Sequence, residues 1–156
     1  MKVPFSWLKE FVEIDVTPQE LQEKLFGCGF EVEELIDLSK NISRVVVGRI
    51  THMEKQEGSD HLYQCKVDCG EEYGHELEIS TGAPNALEGA LVPVALDGAV
   101  LPGPDGPIAI KARKMHGVMS NGMMCSGEEL GLNDDLYPGA DVYGLLILNE
   151  DPNAVV

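Results

Sequence analysis

The segment His61-Leu62-Tyr63-Gln64-Cys65-Lys66-Val67-Asp68 alternates: Tyr63, Cys65 and Val67 face one way, and Gln64, Lys66 and Asp68 the other. A period of two belongs to a strand with one face in a core. On the N-terminal side, residues 45–53 are rich in β-branched side chains and predict a strand. On the C-terminal side, Gly70 to Gly74 form a turn, and Leu77, Ile79 and Thr81 share a parity. Gly82-Ala83-Pro84-Asn85 is a turn cluster, with no following Gly-Lys-Ser/Thr to make it a phosphate loop. Residues 91–96, 108–112 and 144–148 complete about five or six short strands. Ser126 with Glu129 makes a capping box, so a short helix is expected there. Segments 68–78 and 127–141 read as solvated loops. Many short strands with Gly/Pro turns indicate a small closed or partly closed barrel, and the pattern alone does not separate one small barrel type from another.

Residues 1–39 have a different character. Ser6 is placed to cap a short helix whose Trp7, Leu8, Phe11 and Val12 form one apolar stripe. A second helix is framed by a Thr17/Glu20 capping box with Pro18 at its first position, and Gly27 and Gly29 stop it. Residues 30–38 are expected as a strand or extended lead into the barrel. Large aromatics mostly bury, so Trp7 and Phe11 are expected in a core rather than as a base-stacking platform.

The chain has 156 residues, 44% of them hydrophobic, enough for one domain and a small appendage. Eleven basic against 27 acidic residues leave a net charge of −16. Such a surface repels bulk nucleic acid and anionic membrane, so any RNA contact must be local and salt-sensitive, and no DNA partner is expected. No apolar run approaches the roughly 20 residues of a membrane span, and the N-terminus lacks a signal-peptide pattern, so a cytoplasmic location is expected. Cys28, Cys65, Cys69 and Cys125 form no Cys-x-x-Cys pair. Cys65 and Cys69 on one strand would lie roughly 13 Å apart, too far to share a metal. Buried thiols are expected, and no metal site.

Enzymatic motifs are absent. Glu128 with Glu129 and Asp134 with Asp135 suit a solvated face, and Ser120 and Ser126 lack a nucleophile elbow. The richest chemistry lies in Ile110-Lys111-Ala112-Arg113-Lys114-Met115-His116-Gly117-Val118-Met119-Ser120-Asn121-Gly122. If 108–112 is a strand, Ile108, Ile110 and Ala112 face inward. Lys111 and Arg113 then share an outer ridge, with Lys114 and His116 at its end. These are donors for phosphate oxygens, and the imidazole adds a flat ring that can stack on a base. Ser120 and Asn121 flank Gly122, where backbone can approach a ligand closely. The plainer alternative is that the cations only offset neighbouring acids.

The run Gly117-Val118-Met119-Ser120-Asn121-Gly122-Met123-Met124-Cys125-Ser126-Gly127-Glu128-Glu129-Leu130-Gly131 resembles the signature of the tRNA-binding domain, an oligonucleotide-binding-fold barrel found alone or fused to aminoacyl-tRNA synthetases. Val45-Val46-Val47-Gly48-Arg49-Ile50, Cys65-Lys66-Val67-Asp68-Cys69-Gly70 and Thr81-Gly82-Ala83-Pro84-Asn85 are similar to its other landmarks, in order. Met1-Lys2-Val3-Pro4-Phe5-Ser6-Trp7-Leu8-Lys9-Glu10-Phe11-Val12 and Gly27-Cys28-Gly29-Phe30-Glu31-Val32-Glu33 resemble the start of bacterial phenylalanyl-tRNA synthetase β subunits. The chain departs from the family at His61, Tyr63 and His116, where basic residues are common. It departs also at Glu57-Gly58-Ser59, where a proline turn is usual, and at Thr81, often cysteine.

The resemblance implies a mainly β protein: a five-stranded oligonucleotide-binding-fold barrel over residues 40–150, with a small α/β N-terminal head. It implies that the head, 1–39, is an incomplete part of a discontinuous domain. Residues 151–156 would begin the return segment, leaving Trp7 or Phe11 incompletely covered. It implies tRNA as partner, and an α subunit in an (αβ)2 heterotetramer that charges tRNA with phenylalanine using ATP and magnesium. Both catalytic sites would lie elsewhere, so this chain is expected to be non-catalytic and to hold no cofactor. Lys111, Arg113 and Lys114 are the expected phosphate contacts, with His116, Ser120 and Asn121 as neighbours. Two other readings stay open: a subunit-packing domain with little RNA contact, and a free-standing dimeric tRNA-binding protein.

Overall fold

A computed structural model describes residues 1–156, which divide into two compact units, Met1–Asp37 and Leu38–Val156.

The first unit holds helices α1 (Phe5–Phe11) and α2 (Pro18–Gly27). α1 starts one residue before the expected Ser6 cap: Pro4, in extended geometry, occupies the capping position and no side chain caps the helix. α2 begins as its sequence demands. Glu20 Oε2 accepts from the Thr17 N–H at 2.9 Å, and the Glu20 N–H donates to Thr17 Oγ1 at 3.3 Å. The Thr17 N–H first, and then the Thr17 hydroxyl donating to Oε2 at 2.9 Å, hold the Glu20 carboxyl below its ordinary range. Gly29, at φ +83°, follows the last turn. Residues 30–37 form no strand. Neither helix buries a single residue. Trp7 is 49% and Phe11 71% exposed, against the expectation of core packing. They meet edge to face, with ring centroids 5.4 Å apart. So few residues cannot enclose their own apolar faces.

The second unit is the barrel. Its elements are β1 (Ser43–Lys55), β2 (Tyr63–Asp68), the short helix α3 (Gly70–Tyr73), β3 (Leu77–Thr81), β4 (Leu91–Leu101), β5 (Ile108–Ala109), β6 (Arg113–Met115), β7 (Val118–Ser120), β8 (Gly122–Met124) and a 3-10 turn at Glu128–Leu130. All pairings are antiparallel, in the order β3-β2-β1-β4-β5, with β8 on β4. The long β1 pairs with β4 over residues 43–49 and with β2 over residues 49–55, its register shifting between Ser43 and Val45 against β4 and between Ile50 and His52 against β2. The ring closes where the chain after β7 meets β3. The Asn121 N–H donates to the Glu78 carbonyl at 2.8 Å, and the Ser80 N–H to Ser120 Oγ at 3.1 Å. The result is a nearly closed five-stranded barrel of the expected kind.

The apolar run 91–96 has two faces, and each enters a different core. Val92, Val94 and Leu96 fill the barrel with Ile50, Cys65, Val67, Ile79 and Met124. Leu91 and Ala95 pack outside against Cys125, Leu130, Ala140, Leu146 and Leu148. Segment 127–141 is therefore partly core rather than a solvated loop. Gly127 lies so close to the Ala140 carbonyl that no Cβ would fit. Residues 144–148 cover this face without forming the expected strand. Isolated bonds hold them: Leu146 N–H to the Cys125 carbonyl, Leu148 N–H to the Leu91 carbonyl, and a reciprocal amide pair between Asn85 and Leu145, both contacts at 2.8 Å. The turn cluster 82–85 thus carries the clamp for the returning chain. The 128–130 turn has the expected box, the Glu129 N–H donating to Ser126 Oγ at 3.1 Å and Glu129 Oε2 accepting from the Ser126 N–H at 2.7 Å.

Cys65, Cys69 and Cys125 are buried and Cys28 is exposed. Burial pushes the Cys65 and Cys69 thiols up to about 11 and Cys125 to about 12. At neutral pH the buried three stay protonated, so Cys28 alone should react with a thiol reagent in the folded protein. All four should react after unfolding, as counted by mass spectrometry. Gly48 is the tightest point of β1: a Cβ there would sit 2.7 Å from Val94 Cγ2 and 2.8 Å from Val67 Cγ1. Gly48→Ala should cost about 1–3 kcal/mol. It should appear as a lower urea midpoint with an unchanged slope.

Candidate nucleic-acid interface

The basic segment leaves the barrel as a ribbon. β5 pairs with β4 only at Ile108 and Ala109. The Ile110 N–H then donates to the Ala99 carbonyl, and the Ala112 N–H to Asp97 Oδ1 at 2.7 Å, where contact with that edge ends. β6 and β7 form a separate two-stranded hairpin, with Arg113 opposite Ser120, Lys114 opposite Met119 and Met115 opposite Val118. His116 (φ +48°) and Gly117 (φ +87°) make its two-residue turn. Positive φ at both positions is the geometry whose twist matches a right-handed ribbon.

This geometry corrects the single outward ridge. The expected strand 108–112 is only two residues long, and Ile108 is exposed rather than inward-facing. Lys111 precedes the hairpin, while Arg113 and Lys114 are neighbours on β6 and so point to opposite faces of it. The cations lie on exposed positions of a ribbon whose turn is pinned to the barrel. All three are exposed, as is His116. No carboxylate lies within ion-pair distance of any of them, whereas Lys55 is paired with Asp60 at 3.6 Å and Lys66 with Glu76 at 3.5 Å. The plainer alternative, cations neutralised by adjacent acids, does not describe this ribbon.

Ser120 and Asn121 have other duties. Ser120 is 1% exposed, and its hydroxyl accepts from the Ser80 N–H and donates to the Gly122 carbonyl at 3.0 Å. It closes the barrel and presents no surface to a ligand, against its expected role. Asn121 is half-buried, its Nδ2 donating to the Glu78 carbonyl at 3.4 Å. Lys111, Arg113, Lys114 and His116 are therefore exposed along one short segment, whereas Ser120 is buried in the wall.

Two glutamines escaped the sequence reading. Gln56, 5% exposed, reaches from the end of β1 to the hairpin turn, its Nε2 donating to the Met115 carbonyl at 2.7 Å and to the His116 carbonyl at 3.4 Å. Gln64 on β2 accepts at Oε1 from Ser80 Oγ at 2.9 Å. Gln64 fell on the polar parity of β2, and nothing near Gln56 signals burial. The hairpin itself had a signal: His-Gly between Lys-Met and Val-Met is a two-residue loop flanked by extended residues. Elsewhere, Asp68 accepts from the Gly70 N–H at 2.9 Å and lies 2.8 Å from His75 Nδ1. The Gly70 bond first, then His75, holds its carboxyl below the ordinary range. No group of three or more His, Cys, Asp or Glu side chains is placed to hold a metal ion.

The sequence profile described as "Putative tRNA binding domain" matches residues 45–142. Among curated proteins, the chain is 44% identical over 151 residues to a phenylalanine–tRNA ligase β subunit of Clostridium tetani, covering 97% of this chain and 18% of that protein. It is 45% identical to the subunit of the same name from Prochlorococcus marinus, over 97% of this chain and 17% of the relative. For Symbiobacterium thermophilum the identity is 40%, over 96% of this chain and 18% of the relative. The chain thus spans less than a fifth of the length of these relatives. With the profile matching residues 45–142, well over half of the chain, this chain belongs to the tRNA-binding domain family.

Proposed function

We propose that this chain is the tRNA-binding module of a phenylalanine–tRNA ligase β subunit, and that the β6–β7 hairpin is its RNA contact. The observation that carries the reading is the charge placement. In a chain of net charge −16, Lys111, Arg113 and Lys114 are all exposed, within four residues of one another, with no carboxylate in pairing distance. Unpaired guanidinium and ammonium groups on both faces of a thin ribbon suit phosphates flanking a groove or a loop. His116, at the tip, adds a ring able to stack on a base, and Asn121 a second-rank polar neighbour. On this reading the chain assists charging of tRNA with phenylalanine by a cytoplasmic (αβ)2 enzyme, with the ATP- and magnesium-dependent chemistry outside these residues. No helix here is long and apolar enough to cross a membrane.

The first unit supports a companion role. Trp7, Phe11, Phe26 and Phe30 are all exposed, which favours a head, 1–39, that packs against further protein as part of a discontinuous domain. Packing by the head and RNA contact by the barrel belong to different units and do not compete.

Three phosphate contacts predict that log K for tRNA falls against log salt with a slope of about −2 to −3. Each of Lys111→Ala, Arg113→Ala and Lys114→Ala should weaken binding and reduce that slope by about 1, in a filter-binding titration. His116→Asn, whose side chain tolerates positive φ, should preserve the turn and the slope while removing only the ring's contribution. Absent or salt-independent binding would overturn the assignment in favour of the packing domain.

A further inference from the structure

The β6–β7 hairpin is three residues long on each strand and forms a sheet of its own. A two-stranded ribbon of that size is marginal in water and takes its direction from whatever anchors it. At its base the Ala112 N–H is bonded to Asp97, and Ser120 is built into the wall. At its far end the bonds come from the Gln56 side chain, whose Nε2 donates to the Met115 carbonyl at 2.7 Å and to the His116 carbonyl at 3.4 Å. Carbonyls only accept, so the orientation of this amide is fixed. Gln56 is itself braced. Its N–H donates to the Leu62 carbonyl at 2.9 Å, its carbonyl accepts from the Ser59 N–H at 3.3 Å, and Lys55 before it pairs with Tyr63 on β2.

The pin works against stability elsewhere. Gln56 Oε1 is buried without a partner in the protein, and an apolar side chain of the same length would remove that unpaired acceptor. An amide kept under these conditions points to a need for the position of the turn rather than for stability. Met115 and His116 follow directly on Arg113 and Lys114, so the pin sets where those cations stand. Resting on the tRNA-binding reading above, we propose that Gln56 is a positioning residue for RNA. Only 5% exposed, it does not meet the RNA; it holds the cationic hairpin in its binding geometry before RNA arrives. Cations already in place spare the complex the ordering of the ribbon on association. Counterion release depends on the number of cations, which the pin leaves unchanged. Gln56 therefore governs affinity without governing the salt slope.

Filter binding of tRNA across a salt series, on the full chain, tests this beside urea unfolding and native trypsin digestion read by mass spectrometry. Gln56→Met keeps the length and removes the donor. It should weaken tRNA binding about fivefold with the salt slope unchanged. Its urea midpoint should equal or exceed that of the unsubstituted chain. Cleavage after Lys111, Arg113 and Lys114 should quicken relative to other sites. Gln56→His restores an N–H donor at similar reach and should recover most of the affinity. Gln56→Leu serves if the methionine variant does not fold, and failure of both to fold would make Gln56 a residue of the fold alone and overturn the proposal. Unchanged affinity in a folded variant would overturn it as well, as would a reduced salt slope or hairpin cleavage that does not quicken. So would an affinity loss that tracks a lowered urea midpoint and is not recovered by histidine. If the unsubstituted chain binds no tRNA, the RNA reading beneath fails; if it binds and Gln56→Met binds equally, this inference alone fails.

Discussion

Closure of this barrel hangs on a side chain. Between β3 and the chain that should seal it there is no regular ladder. The Ser120 hydroxyl accepts from the Ser80 N–H, one backbone bond joins Asn121 to Glu78, and the same hydroxyl donates to the Gly122 carbonyl. A buried N–H left without such a partner would be costly, so this seam decides whether the β3 edge is satisfied. Everything at the candidate interface is attached to it. β7 runs directly into Ser120, Gln64 is held through Ser80, and the cationic hairpin stands on the same few residues.

The seam also explains how a strongly acidic protein presents a cationic feature. Attraction at a −16 molecule must come from groups carried clear of the background, because opposing fields are screened only beyond about 8–10 Å. The hairpin that leaves the β4 edge at Ala112 presents its cations without ion-pair partners, although its turn is held to the barrel by Gln56 and Glu54, Glu57 and Glu78 lie beside Val118 at its base. The acids remain on the barrel, where Lys55 and Lys66 are neutralised by Asp60 and Glu76.

Where one face met solvent, the fold was legible. The alternation of residues 63–68, the Thr17/Glu20 box and the turn at 82–85 each carry their meaning locally, and each is found in its expected role. Reading faltered where a segment's partner is distant in sequence. Residues 127–141 look solvated until Leu130 and Ala140 meet the outer face of β4, and 144–148 looks like a strand because its apolar residues cover a core without a ladder. The cations were identifiable by type but not by direction. A strand continuing to Ala112 would align Lys111 with Arg113, and the Asp97 bond at Ala112 that redirects the chain has no sequence signature. Ser120 shows the same limit: a small polar residue beside a glycine suits a ligand or a seam equally, and only its burial distinguishes them.

The clamps on the returning segment join residues far apart: Asn85 to Leu145 across 60 positions and Asn149 to Leu91 across 58. On a ribosome, where the chain emerges from its N-terminal end, β4 is therefore made long before the residues that cover its outer side. During that interval Leu91 and Ala95 are bare, and the nascent barrel has a sticky flank until residue 149 clears the exit tunnel. Late covering of this kind exposes the half-made domain to chaperones and to wrong partners, a cost of fastening a sheet from outside by its last few residues.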